Sequence, residues 1–207
     1  MKKKLWLILP AIIFFLLFVA FTFIVKKDLL NNFDFDTTVK LQNHIPIKYD
    51  SLLSFFSLIG SFEILAGLLF FIILFRRKLV SFLIFIPLVG AHLVEIIGKS
   101  LMTHPGPPFL FFRYNINFLF PTSYIQPGSS YPSGHSLRVI FVSIIISYII
   151  SKMKIKNFAK FISIFLLVII NVVMLISRVS LGEHWTTDVI GGILLGLSSG
   201  IFSLIFL

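Results

Sequence analysis

Cysteine is absent from this chain, and charged residues make up only 13% of its 207 residues, about half the share of an ordinary soluble domain. Without cysteine there is no disulfide scaffold. Acids are scarce, eight against eighteen lysines and arginines, and no His-Glu-x-x-His run occurs. A zinc or two-metal centre therefore has no evident ligands, and no metal is expected. What is present is apolar: 57% hydrophobic residues and a mean hydropathy of +1.03. The surplus lies in runs long enough to cross a hydrocarbon layer, which takes about 20 residues per helix. That excludes a soluble domain and a disordered chain.

The net charge of +10 alone would fit a nucleic-acid binder, but its placement does not. Ten of the eighteen basic residues form three acid-free clusters: Lys2, Lys3 and Lys4; Arg76, Arg77 and Lys78; Lys152, Lys154, Lys156 and Lys160. The other eight are balanced by the eight acids, so the whole excess sits in clusters abutting hydrophobic runs. This is the positive-inside pattern. A nucleic-acid groove would interleave basic and aromatic residues on a soluble surface, so no nucleic-acid partner is expected.

Six apolar stretches, residues 5–25, 51–75, 79–98, 136–151, 161–177 and 188–207, are read as transmembrane helices. The expected fold class is all-α, a polytopic six-helix membrane bundle forming one domain over residues 1–207. Open strands cannot survive in lipid, because every backbone group must be satisfied internally. The runs at 136 and 161 are short and borrow a turn from their flanks. Putting the basic clusters in the cytoplasm makes the topology N-in and C-in, with outer connections at 26–50, 99–135 and 178–187. The first run is too long for a signal-peptide core, and no small-residue cleavage pattern follows it. The 26–50 connection mixes apolar and charged residues, as either a helix on the membrane surface or a solvated loop would. The 99–135 connection carries His-Pro-Gly-Pro-Pro and Gln-Pro-Gly-Ser-Ser and cannot be one helix. Trp6 and Trp185 read as interface anchors.

Apart from Glu63, whose role the sequence leaves open, the ionisable residues of the later helices fall at their outer ends. Such residues are functional candidates near lipid. His184 and Asp188 stand one helical turn apart, so the carboxylate can hold one imidazole nitrogen and leave the other free; an interfacial histidine beside a capping aspartate is the alternative. Pro132, Ser133, Gly134 and His135 open the fourth helix, where free N–H groups bind anions and where His135 can protonate a leaving oxygen; a plain cap is the alternative. Lys99 and Arg178 add positive charge at outer helix ends, as phosphate holders or as snorkelling anchors. Glu95, four residues before Lys99, is spaced to pair with it, and His92 reads as a buried hydrogen-bonded residue.

Lys99 with its proline-rich turn, Pro132-Ser133-Gly134-His135, and Ser177-Arg178-x5-His184-x3-Asp188 resemble the three signature motifs of the type 2 phosphatidic acid phosphatase (PAP2) superfamily. The likeness covers about residues 99–192. The second and third motifs match in full, whereas the first has Gly106 where the family places a phosphate-holding arginine. Arg138, one turn below His135, is the expected replacement, with Arg113 and His104 as weaker candidates and a structural pairing of Arg138 with Glu95 as the alternative. The resemblance implies a phosphatase needing neither metal nor cofactor and working through a phosphohistidine. In it His184 is the nucleophile, Asp188 orients it, and His135 is the acid and base. Lys99, Ser133, Gly134 and Arg178 hold the phosphoryl oxygens. The implied substrate is a lipid phosphate met at the outer face of a bacterial cytoplasmic membrane, such as undecaprenyl diphosphate, phosphatidylglycerol phosphate or phosphatidic acid, with head-group choice in the 109–130 loop. A small transporter or a catalytically decayed scaffold would share the topology. A transporter, however, would line both membrane halves with polar groups.

Overall fold

The computed structural model describes residues 2–76, 79–118, 120 and 129–207. Two features read from the sequence lie outside the described residues: the basic pair Arg77 and Lys78, and the 121–128 part of the loop expected to select the head group. Among the described residues there are α- and 3-10 helices and no strand. The α-helices are α1 (Ile8–Lys26), α2 (Asn31–His44), α3 (Asp50–Ile59), α4 (Phe62–Arg76), α5 (Phe85–Leu101), α6 (Gly134–Lys152), α7 (Asn157–Ser180) and α8 (Thr186–Ser203). Within the apolar spans Phe and Ile, mediocre helix formers in water, are helical, as the need to close every backbone hydrogen bond in lipid requires.

Five helical segments are long and apolar enough to span a membrane: Lys4–Lys26, Leu79–Leu101, Gly134–Lys152, Asn157–Ser180 and Thr186–Phe206. The two short runs gain their missing turns from their flanks. The sixth expected span, 51–75, is not one straight helix. It is a bent pair, Ile47–Ile59 and Phe62–Arg76, inclined by 51°. The break falls at Gly60-Ser61, a Gly/Ser pair of the kind at which helices kink. Gly60 N–H and Ser61 N–H turn back tightly onto Ser57 O and Leu58 O, and the Gly60 carbonyl accepts from Arg138 Nε at 3.4 Å. Irregular backbone at membrane depth survives where protein covers it.

The 26–50 connection is helical in α2, but it is more than a surface float. Asp34 and Thr38 are buried, and Gln42 Nε2 donates to Phe111 O and Ser180 O, strapping α2 across the bundle end.

Helix α8 is the most buried span and α7 the least. Glycines 192, 196 and 200 form a small-residue stripe on α8 against α6, which brings the two backbones close. At the far end, Lys4 Nζ donates to Leu204 O at 3.1 Å, and Lys4 and Lys152 both approach the Tyr148 ring. Two of the basic clusters thus meet at the C-terminal end of α8. Lys99, His135, Arg178 and His184 sit at the opposite end, where α5 and α7 finish and α6 and α8 begin.

Candidate active site

The site is assembled from two helix starts and two helix ends. At the start of α8, Asp188 Oδ2 accepts from Trp185 N–H at 2.9 Å and faces His184 Nδ1 at 3.2 Å. One carboxylate oxygen therefore caps the helix and orients the imidazole, so the two sequence alternatives are both realised. Facing a carboxylate, His184 Nδ1 carries the ring proton, which leaves Nε2 with a free lone pair. The turn that delivers His184 is tight: His184 N–H and Glu183 N–H both donate to Arg178 O. It pivots on Gly182 at φ 68°, where a side chain would also collide with Phe111 O.

At the start of α6, Ser133 is wholly buried and its hydroxyl accepts from Ser136 N–H at 3.5 Å, while Ser133 N–H donates to Asp188 O at 3.0 Å. That backbone bond ties the two helix starts together. Gly134 abuts the Glu95 carboxylate. His135 Nδ1 lies 3.4 Å from Arg138 Nη2, and a guanidinium can only donate, so in the neutral ring the proton sits on Nε2.

The cations converge on this pair. The charges of Arg178, Arg138 and Lys99, with the His184 ring, act on His135. Arg178 and Lys99 likewise act on His184, which burial first and these charges second hold well below its usual 6.5. Two of the cations carry counter-ions. Lys99 Nζ meets Glu95 Oε1 at 2.9 Å, and His92 Nδ1 meets Glu95 Oε2 at 2.9 Å. Arg178 Nη1 meets Glu183 Oε1 at 2.7 Å and is bonded to Ser57 Oγ, which itself donates to Glu183 Oε2. Arg178 Nε, buried, has no hydrogen-bond partner among the described residues. A buried donor left over beside two imidazoles is suited to an anion's oxygen.

Of the candidates for the missing arginine, Arg138 alone lies at the histidines. Glu95 acts on it only at a distance, being taken up by His92 and Lys99, and Glu63 also acts on it. Arg113 is committed elsewhere. It clasps Asp50 through Nε at 2.9 Å and Nη2 at 2.6 Å, and donates to Gln42 O and Ile45 O. His104 points at Asp188 and Asp34, both acceptors. Trp6 is exposed, and Trp185 Nε1 donates to Pro105 O. Sequence reasoning passed over Ser57, Gly60, Glu183, Asp34 and Thr187. Only Glu183 carried a signal, as an acid next to the candidate nucleophile. Among the described residues no group of three or more His, Asp or Glu could hold a metal ion.

A bundle of helices long and apolar enough to span a membrane, with a buried histidine–carboxylate pair and several cations at one end, defines a polytopic membrane protein. Residues 78–207 match the PAP2 superfamily model. The chain belongs to that superfamily, the class of membrane phosphatases whose motifs it carries. Its fold is shared with a PAP2-type phosphatidylglycerolphosphate phosphatase from Bacillus subtilis, at 21% identity and TM-score 0.77, covering 95% of each chain. It is also shared with LpxE from Aquifex aeolicus, at 23% identity and TM-score 0.62, over 84% of this chain and 95% of that one. No curated protein matches the sequence.

Proposed function

We propose that this protein hydrolyses a lipid phosphate or diphosphate through a phosphohistidine, at the outer face of a bacterial cytoplasmic membrane. The observation that carries the reading is His184 with Nδ1 held by Asp188 at 3.2 Å, its other nitrogen free, in the field of Arg178 and Lys99. His184 Nε2 attacks phosphorus and the P–O bond to the lipid breaks; His135, protonated on both ring nitrogens once Arg138 turns to the phosphate, gives its Nε2 proton to the leaving oxygen and becomes neutral. His135 then accepts a proton from water, the hydroxide attacks phosphorus, and the P–N bond breaks to release inorganic phosphate. Lys99, Arg178, Arg138, the Ser133 hydroxyl and the N-terminal amide of Gly134 hold the phosphoryl oxygens, the Ser133 amide being taken by Asp188 O; phosphoryl transfer depends mainly on such positioning and charge stabilisation. No step calls for a metal or a cofactor.

The separation of the site from the Lys4 and Lys152 ends supports an N-in, C-in orientation with the site outside. Phosphatidylglycerol phosphate is the first substrate to assay, followed by phosphatidic acid and undecaprenyl diphosphate. Purified protein in detergent releases phosphate from one of them, with EDTA without effect. Acid quenching traps labelled phosphate on the wild type and none on His184→Ala. A transporter or an inactive scaffold would release no phosphate, and activity persisting in His184→Ala would refute the mechanism.

A further inference from the structure

Behind Asp188, on the side away from His184, lies a buried polar cluster that the chemistry above does not use. It joins three distant stretches: Asp34 from α2, His104 from the turn after α5, and Thr187 from the first turn of α8. Asp34, His104, Thr187 and Asp188 are all buried. Asp34 Oδ1 accepts from Thr187 N–H at 2.8 Å and Asp34 Oδ2 from the Thr187 hydroxyl at 2.6 Å. Having given its proton to Asp34, Thr187 Oγ1 offers only lone pairs to His104 Nε2, 3.4 Å away. The same nitrogen lies 3.4 Å from Asp188 Oδ1 and 3.9 Å from Asp34 Oδ2. Among the described residues the polar neighbours of His104 Nε2 are thus acceptors, which places the ring hydrogen on Nε2. Its ring is set edge to face with the buried Tyr131, centroids 6.2 Å apart at 86°. Its carbonyl accepts from Ser130 N–H, Ser129 Oγ and Ser130 Oγ.

Asp188 Oδ2 is spent on Trp185 N–H and His184, whereas Oδ1 has no well-formed hydrogen bond among the described residues. The Ser130 hydroxyl also acts on this carboxylate, but its proton is given to the His104 carbonyl at 3.1 Å, whereas His104 Nε2 faces Oδ1 at 3.4 Å. We propose that His104 is a positioning residue that acts through Asp188: its Nε2–H holds Oδ1 so that Oδ2 stays aimed at His184, and Asp34 with Thr187 holds His104 in turn. The chain His184, Asp188, His104, Asp34 thereby links the nucleophile to α2. This role rests on the phosphatase reading of the site, and it sets His104 apart from a stand-in for the arginine missing at position 106, which would touch the phosphate.

The test is steady-state phosphate release by His104→Ala, His104→Gln, Asp188→Asn and the double variant, with a thermal melt of each in detergent. Outer partners of this kind typically matter by about 10–100-fold. His104→Ala is expected to lower kcat by about that factor with KM within about threefold. His104→Gln, which keeps a donor near the Nε2 position, is expected to recover most of the loss. In the Asp188→Asn background, His104→Ala adds nothing, because it acts through the same carboxylate. A folded His104→Ala with wild-type kcat, a loss confined to KM, or additive losses in the double variant would each overturn the proposal. If His184→Ala is also as active as wild type, the phosphatase mechanism itself falls, and His104 with it.

Discussion

Gly192→Ala tests whether helix packing sets the geometry of the site. Gly192 lies one turn below Asp188 on the face of α8 that meets α6. A methyl group there would run into the Ser133 carbonyl and come within 2.8 Å of Ser136 Cβ and 3.1 Å of Leu137 N. Carbon atoms pack at about 3.5–4.0 Å, so the helices must separate by about 1 Å. The obstacles are backbone and first side-chain atoms, which have no rotamer escape. The separation strains the Ser133 N–H bond to Asp188 O, 3.0 Å long, and draws His184 away from His135. Overpacking of this kind costs about 1–3 kcal/mol of stability. A misplacement of about 1 Å at a reacting centre costs about 10²-fold in rate. The expected result is a folded variant with a lowered Tm and kcat reduced about 10²-fold, measured by phosphate release from a lipid phosphate in detergent micelles. Gly67→Ala on α4, where an added methyl meets nothing within 4 Å, is the control and leaves both quantities near wild type. A folded Gly192→Ala with wild-type kcat would refute the coupling between packing and site.

Acidity tests the environment of His184. Because burial, then Arg178 and Lys99, lower its value well below 6.5, the folded state binds fewer protons there than the unfolded chain. Its contribution to stability is therefore complete above about 6.5 and is lost as pH falls toward the folded value. Tm should drop on acidification from neutral to about pH 5 while the nucleophile stays unprotonated; a kcat step near 6.5 traced to His184 would contradict this. Arg138→Ala should lower kcat/KM by about 10²-fold, the usual scale for one charge-stabilising donor, with the fold retained, and unchanged kinetics would remove Arg138 from the site. Arg113→Ala should do the reverse. It strands the buried Asp50 carboxylate, costing about 3 kcal/mol and several degrees of Tm, with KM unchanged.

The parts of this molecule that are written locally could be read from the sequence. Apolar run length located the spans, and i,i+4 spacing anticipated the pairs of His184 with Asp188 and of Glu95 with Lys99. The bend at Gly60-Ser61 was hidden because residues 51–75 are uniformly apolar, and hydropathy reports solvent preference, not direction. Only the tertiary fold shows that the freed Gly60 carbonyl meets Arg138 and that Ser57 turns toward Arg178 and Glu183. Asp34 was equally invisible, since one acid in a mixed connection looks solvated until α2 folds over the start of α8. That Arg113 and His104, the weaker candidates for the missing arginine, face carboxylates was hidden for a related reason. Charge type can be read from a sequence, but the counter-charge that occupies it is set by segments tens of residues away.

Under the proposed chemistry, the arrangement of counter-charges has a kinetic consequence. A bare cation at the edge of a bilayer is costly, and two of the cations at the site are met by carboxylates, Lys99 by Glu95 and Arg178 by Glu183. An incoming phosphate does not fill an empty field; it displaces or shares the partners already present. Its affinity is then the difference between two anions, which disfavours a carboxylate ligand and favours a group with three charged oxygens. Those oxygens can engage Lys99, the unpartnered Arg178 Nε and the helix N-terminal amides together. The same carboxylates act on the outgoing product. Glu183 and Glu95 stand ready to reclaim Arg178 and Lys99 as inorganic phosphate leaves, so a cradle cationic enough to stabilise the transition state does not have to retain its product.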